Sequence, residues 1–177
     1  MKIDSRSTPN AIEALRAKLI VVAVVTSPFA DKTGLNINVI KKLQDIVAAG
    51  NGFSYLKDKE ISLHELVKYP LICLKNTTTT RNYLDHIFRQ HNLLLRPDIE
   101  LTSINFVMPM VKNNLGIGFM QYATTKAEIE AGNIFRVNTK EQIPPRSICA
   151  VTASQYETPE PVQRFIDSLL EKESVNI

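Results

Sequence analysis

Four consecutive threonines, Thr77, Thr78, Thr79 and Thr80, lie in the stretch LKNTTTTRNYLDHIF. Before them runs an apolar segment, LICL; after them Tyr83, Leu84, Ile87 and Phe88 recur at the spacing of one helix face. A hydroxyl cluster between a buried strand and a helix can hold a small anion, because the first turn of a helix leaves outward-pointing amides unpaired. The helix end adds roughly 0.3–2 kcal/mol to such binding. A capping threonine, worth about 1 kcal/mol, accounts for one of the four, with the others as loop filler. In open α/β sheets the carboxyl end of a strand is also where ligands bind.

Other small polar residues stand at similar places. Ser7 and Thr8 precede Pro9, which helix initiation alone explains, and Thr26 ends an apolar run as any strand end would. Thr102 and Ser103 open a further helix, while Gly118 and Phe119 end the next strand. Both pairs fit a pocket wall as well as they fit a cap and a core. Arg81, in the first turn after the quartet, could meet an anion, although a surface arginine is the ordinary reading. Catalytic chemistry finds no support. His64, His86 and His91 have no metal-ligand spacing with cysteines or carboxylates, and His86 and His91 sit on different faces of one helix. There is no Gly-rich phosphate loop, nucleophile elbow or paired-carboxylate motif. No enzyme, cofactor or metal is expected.

The elements that must position these residues alternate. Lys2 to Asp4 is weakly strand-like, Ser7-Thr8-Pro9 starts a helix, and LIVVAVV (19–25) is a β-branched run that predicts a strand buried on both faces within a parallel βαβ unit. Residues 35–49 fit two strands with a break better than one helix. Asn51-Gly52 is a turn, Ser62 with Glu65 a capping box ahead of a short helix, and residues 71–74 a buried strand. After the helix that follows the quartet come a strand at 99–101, a helix capped by Ser103, a strand at 117–120 and a second capping box, Thr125 with Glu128. Strands at 134–137 and 148–151 precede a last helix opened by Thr158-Pro159, with Val162, Phe165, Ile166, Leu169 and Leu170 as its apolar stripe. The sum is an α/β protein with mostly parallel sheet.

Composition narrows the class. The 177 residues are 44% hydrophobic and 22% charged, ordinary for a globular protein, with a formal charge of +3 spread along the chain rather than gathered into a basic arm. Cys73 and Cys149 each lie within an apolar run, as small core residues in a reducing compartment. The longest apolar run, seven residues, is far short of the ~18 that span a bilayer. MKIDSRSTPN has no signal-peptide core, so a cytoplasmic location is expected.

The run ISLHELVKYPLICL, continued by TTTTRNYLDHIFRQHNLLLRPDIELTSINFVMPMVKNNLGIGFM and later by PPRSICAVTASQYETPEPVQRFIDSLLE, resembles the effector-binding domain of LysR-type transcriptional regulators. The likeness covers residues 61–171. It rests on the order capping box, Pro70-Leu71-Ile72, threonine loop, Arg81, Leu84-Asp85, Phe88, Pro97 loop and Leu115-Gly116-Ile117-Gly118. Earlier in the chain, Ser7-Thr8, Glu13-Ala14-Leu15 and LIVVAVVT stand where that family has its second strand, second helix and third strand. The family's winged helix-turn-helix and its first strand-helix unit have no counterpart here. Val21 stands where the family has Asp, and Asn114 where it has Gly.

The resemblance implies a two-lobed, type II periplasmic-binding-protein-like fold, with residues 1–46 and 147–177 as a truncated lobe one and 47–146 as lobe two. It implies an interlobe cleft holding a small carboxylate effector, contacted by residues 77–80 from one side and by Ser7, Thr8 and Thr26 from the other, with Thr102, Gly118 and Phe119 as wall. It also implies a homodimer that reaches DNA only through a domain outside this chain, and no membrane. The alternative is a stand-alone cytoplasmic binder of the solute-binding type.

Overall fold

The computed structural model describes residues 2–29 and 31–174, and the backbone alone at 172–174. In chain order the elements are α1 (Thr8–Arg16), β1 (Ala23–Thr26), β2 (Leu35–Leu43), β3 (Asp45–Gly50), β4 (Glu60–Ile61), α2 (Leu63–Leu66), β5 (Leu71–Leu74), α3 (Thr79–Gln90), β6 (Ile99–Leu101), α4 (Val107–Lys112), β7 (Ile117–Gln121), α5 (Tyr122–Glu130), β8 (Ile134–Thr139), β9 (Arg146–Ala153) and α6 (Glu160–Ser174). Short 3-10 turns at Asn51–Leu56 and Ile104–Phe106 complete the set. The chain forms two compact units, Met1–Lys42 with Arg146–Ile177, and Leu43–Pro145. No described helix is long and apolar enough to cross a membrane.

The first unit holds a three-stranded sheet in the order β1-β9-β2. Helix α1 starts at Thr8, followed by Pro9, whose fixed φ suits the first turn, and buries Ala11, Ile12 and Leu15 against Ala23, Val25, Cys149 and Val151. The opposite face is covered unevenly. Val24 and Ala150 are register partners and so share that face, yet Ala150 is 0% exposed and Val24 51%.

Three expectations for this unit are corrected. Residues 2–4 are not a strand, and LIVVAVV is not a strand buried on both faces. Only its last three residues enter β1, whose burial alternates, and Leu19 and Val21 are 72% and 52% exposed. Nor is there a parallel βαβ unit, since β1 pairs antiparallel with β9. The run lies at the edge of the order β1-β9-β2 and, among the described residues, has a strand neighbour on one side alone. In α6 the expected stripe is the least exposed face, with Ile166 buried.

The second unit is a six-stranded sheet ordered β4-β8-β3-β7-β5-β6. Strand β5 runs parallel to β6 and β7, β4 runs parallel to β8, and β3 is antiparallel to both β7 and β8. Five strands therefore share one direction and β3 alone opposes them. The sheet is mixed, and the expectation of mostly parallel sheet describes strand direction here and not the first unit.

Both faces of this sheet are covered. On one, Leu63 and Leu66 of α2 and Tyr83, Leu84, Ile87 and Phe88 of α3 pack on Val47, Phe119 and Val137. On the other, Val107 and Val111 of α4 pack on Ile46, Ala48, Ile72 and Met120. The Ser62 capping box forms as the spacing predicts: Ser62 Oγ accepts from the Glu65 amide, and the Glu65 carboxylate accepts from the Ser62 amide. The second one does not form. Thr125 lies inside α5, where its hydroxyl donates back to the carbonyls of Tyr122 and Gln121. Asn114 adopts φ 60°, the left-handed conformation Asn tolerates, and its Oδ1 accepts from the Gly52 amide at 2.7 Å.

Candidate functional site at the carboxyl end of the second sheet

Because five strands run one way, a single end of the second unit's sheet collects the segments that follow β4, β5, β6, β7 and β8, together with the start of β3. The threonine loop follows β5, Thr102 and Ser103 follow β6, and residues 140–145 follow β8. This is the end at which open α/β sheets bind ligands.

The loop after β5 is built around one cap. Thr78 is the N-cap of α3: its Oγ1 accepts from the Arg81 amide at 3.2 Å and donates to the Lys75 carbonyl at 2.8 Å. Its own amide donates to the same carbonyl, closing a tight turn over residues 75–78. Thr77 is exposed, and the amides of Asn76, Thr77 and Thr79 make no hydrogen bond among the described residues. Thr80 has an interaction of its own in the first turn. Lys75 is exposed, and its ammonium has no partner among the described residues. The loop thus offers unpaired N–H groups, the Thr77 and Thr79 hydroxyls and one free cation.

Arg81 is not the surface arginine its position suggested. It is 6% exposed; Nε donates to Asp85 at 2.8 Å, Nη1 to Glu100 at 2.7 Å and to the Leu74 carbonyl, and Nη2 to the Leu95 carbonyl. Burial opposes its charge, but the two carboxylates outweigh that and hold the guanidinium above its ordinary value. Arg81 therefore ties α3 to the ends of β5 and β6 and is spent on structure. The same burial pushes the neighbouring Cys73 thiol up to about 12, with Arg81 pulling the other way, so Cys73 is an inert core group. Cys149 is buried too, and burial raises its thiol as well.

The remaining expected site residues are spread over the molecule. Thr102 is exposed just after β6, on the same sheet end as the quartet. Gly118 and Phe119 are committed to packing instead. Phe119 is buried edge-on against Phe88, ring centroids 5.9 Å apart, and a Cβ on Gly118 would lie 2.7 Å from Val111 and 2.8 Å from Val107. In the first unit Ser7 is the N-cap of α1 without a side-chain cap bond, Thr8 is half-buried at the first helical position, and Thr26 ends β1. The described residues contain no group of three or more His, Cys, Asp or Glu that could hold a metal.

Sequence reasoning missed a cavity of about 260 Å³ at the same sheet end, lined by Gln44, Asp45, Ile46, Val47, Arg136, Val137, Thr139 and residues 142–145. None of the four threonines borders it. Strands β5 and β8 are three positions apart in the sheet, which at ~4.8 Å per strand puts the two features roughly 14 Å apart. Its walls come from segments some ninety residues apart in the chain, and no local spacing signals that.

A family model described as LysR substrate binding domain matches residues 1–174. The HTH-type transcriptional activator CmpR of Synechocystis sp. is 29% identical over 90 residues, which take in 50% of this chain and 30% of that protein. The chain thus aligns with under a third of that regulator's length. Among solved structures, the effector binding domain of QuiR in complex with shikimate superposes with a TM-score of 0.78 at 17% identity, over 94% of this chain and 78% of that one. The regulatory domain of CcmR from Synechocystis PCC6803, in complex with 2-PG, gives 0.81 at 16% identity, over 93% and 79%. These likenesses establish a shared fold.

Proposed function

The chain belongs to the LysR substrate-binding domain family, and on that premise we propose that it is the ligand-sensing part of a transcriptional regulator. It binds a small anionic effector at the threonine loop and performs no catalysis. The observation that carries this reading is the loop after β5, where unpaired amides of Asn76, Thr77 and Thr79 stand with the free Lys75 ammonium at the carboxyl end of the sheet. Shikimate and 2-PG, the molecules held by the QuiR and CcmR domains, are the size of anion such a loop can bind.

Thr102 joins this contact set from the neighbouring strand end. Ligand binding would act by population shift, favouring one arrangement of the units over another, in a cytoplasmic homodimer. Any DNA contact belongs to residues outside these 177.

A thermal-shift series with shikimate, 2-PG and small organic acids tests the reading. Ligand at 100-fold its Kd should stabilise the protein by about 2.7 kcal/mol. The double variant Thr77→Ala, Thr79→Ala, which spares the Thr78 cap, should lose the shift. A ligand whose shift survives in that variant binds elsewhere and removes the role given to the loop.

A further inference from the structure

We propose that the cavity between β3 and β8 is a second binding site, for a small hydroxy- or amino-monocarboxylate, with Arg136 as its anchor. It lies entirely within the unit Leu43–Pro145 and does not depend on the threonine loop.

The cavity is a fork in the sheet. Pairing between β3 and β8 runs only from Val47↔Val137 to Gly50↔Ile134, although β3 begins at Asp45 and β8 continues to Thr139. The last two residues of β8 turn to β4 instead, with Asn138 opposite Glu60 and Thr139 opposite Ile61. Strand β3 meanwhile stays paired with β7 down to Asp45. The two strands part, and the space between them is closed by the segment that follows β8.

That closing segment is held in place without a ligand. Gln44 Nε2 donates to the Ile143 carbonyl and to the Asp45 carbonyl, each at 2.9 Å, and Thr139 Oγ1 donates to the Glu141 carbonyl at 2.9 Å. The Tyr83 hydroxyl donates to the Pro144 carbonyl, and Pro144 and Pro145 restrict their own φ. The apolar lining is buried, with Val47, Val137 and Ile143 in the core on one face of the sheet and Ile46 in the core on the other. A wall fixed beforehand spares a ligand the cost of ordering it.

The lining also carries groups with nothing else to bind. Arg136 and Gln142 are exposed at the rim, and neither has a partner among the described residues. A guanidinium is the side chain best shaped to take a carboxylate through two parallel N–H bonds. Contrast Arg81, four of whose five N–H donors are engaged internally.

Size and charge narrow the ligand. At ~30 Å³ per water the cavity has room for about nine waters, hence for a molecule of about ten heavy atoms. Its ionisable lining is one cation and one carboxylate, Arg136 and the buried Asp45. A single guanidinium suits a monocarboxylate whose other groups are hydroxyl or amino, which Gln44, Thr139 and Gln142 can meet.

The test is an amide ¹H–¹⁵N NMR titration of the full 177-residue chain with D-glycerate and with L-serine, each to 20 mM, with glycerol as the analogue lacking a carboxylate. The expected result is a saturable shift, for at least one of the two acids, at the amides of residues 44–47, 136–137 and 142–143, with a millimolar or lower Kd and no response to glycerol. Arg136→Gln should weaken that binding at least tenfold while leaving the melting temperature unchanged, because Arg136 is exposed and unpartnered. The Thr77→Ala, Thr79→Ala variant should bind as the parent does, which separates this site from the loop. Absence of saturable shifts at the lining with both acids, shifts confined to residues 75–80, equal response to glycerol, or undiminished binding by Arg136→Gln would each overturn the proposal.

Discussion

The two units solve the same burial problem differently. The unit Leu43–Pro145 covers its sheet on both faces and ends it in the short strands β4 and β6, of two and three residues, which leave little unpaired backbone at the edges. In the other unit β1 is itself an edge, and Leu19, Val21 and Val24 point their apolar side chains into solvent. The difference teaches that an apolar β-branched run reports the preference of a strand, whereas the number of its covered faces depends on what lies beside it.

The sharpest way to break the contrast is to remove a part on which the second unit depends. Arg81→Met would leave Asp85 without its cation and the Leu74 and Leu95 carbonyls without that donor; a loss of about 3 kcal/mol in urea-induced unfolding is expected. Gly50→Ala should cost about 2 kcal/mol by the same measurement, since its Cβ would sit 2.3 Å from the Val111 carbonyl oxygen, and backbone there can yield only by moving α4.

A smaller effect follows from the capping box. Hydrogen bonds from Ser62, first from its amide and then from its hydroxyl, hold the Glu65 carboxyl below its ordinary value of 4.5. A carboxylate depressed on folding contributes stability above its unfolded value, and loses it as pH falls through the folded one. Glu65→Gln should therefore flatten the decline of melting temperature below about pH 4.5 and lower the melting temperature slightly at pH 7. Smallest of all, Val24→Thr in the first unit should change stability by under ~0.5 kcal/mol, because its outward methyls are already wet. A loss near the cost of a core substitution would show that β1 is covered in solution.

The order of elements was legible from local signals. Pro9 marked the start of α1, Ser62 with Glu65 the start of α2, and the quartet the start of α3, because caps and fixed φ act within three residues. Thr125 with Glu128 misled because a hydroxyl inside a helix satisfies itself on the carbonyl one turn back as readily as it caps. Gly118 and Phe119 were placed in the right strand but could not be assigned to a ligand or to the core from spacing alone; Val107, Val111 and Phe88 occupy the space beside them.

The sequence by itself determined that this chain alternates strands and helices, caps α3 on a threonine and carries a LysR-like motif order, since propensity, capping and pattern are local. Tertiary structure alone decided that Arg81 is buried, through Glu100 and the Leu95 carbonyl far along the chain, and that Arg136 stands at the rim of a cavity without a partner among the described residues. Two arginines with the same intrinsic chemistry diverge because a side chain's partners are set by which strands lie side by side, and strand order follows from closing the sheet rather than from any short stretch of residues.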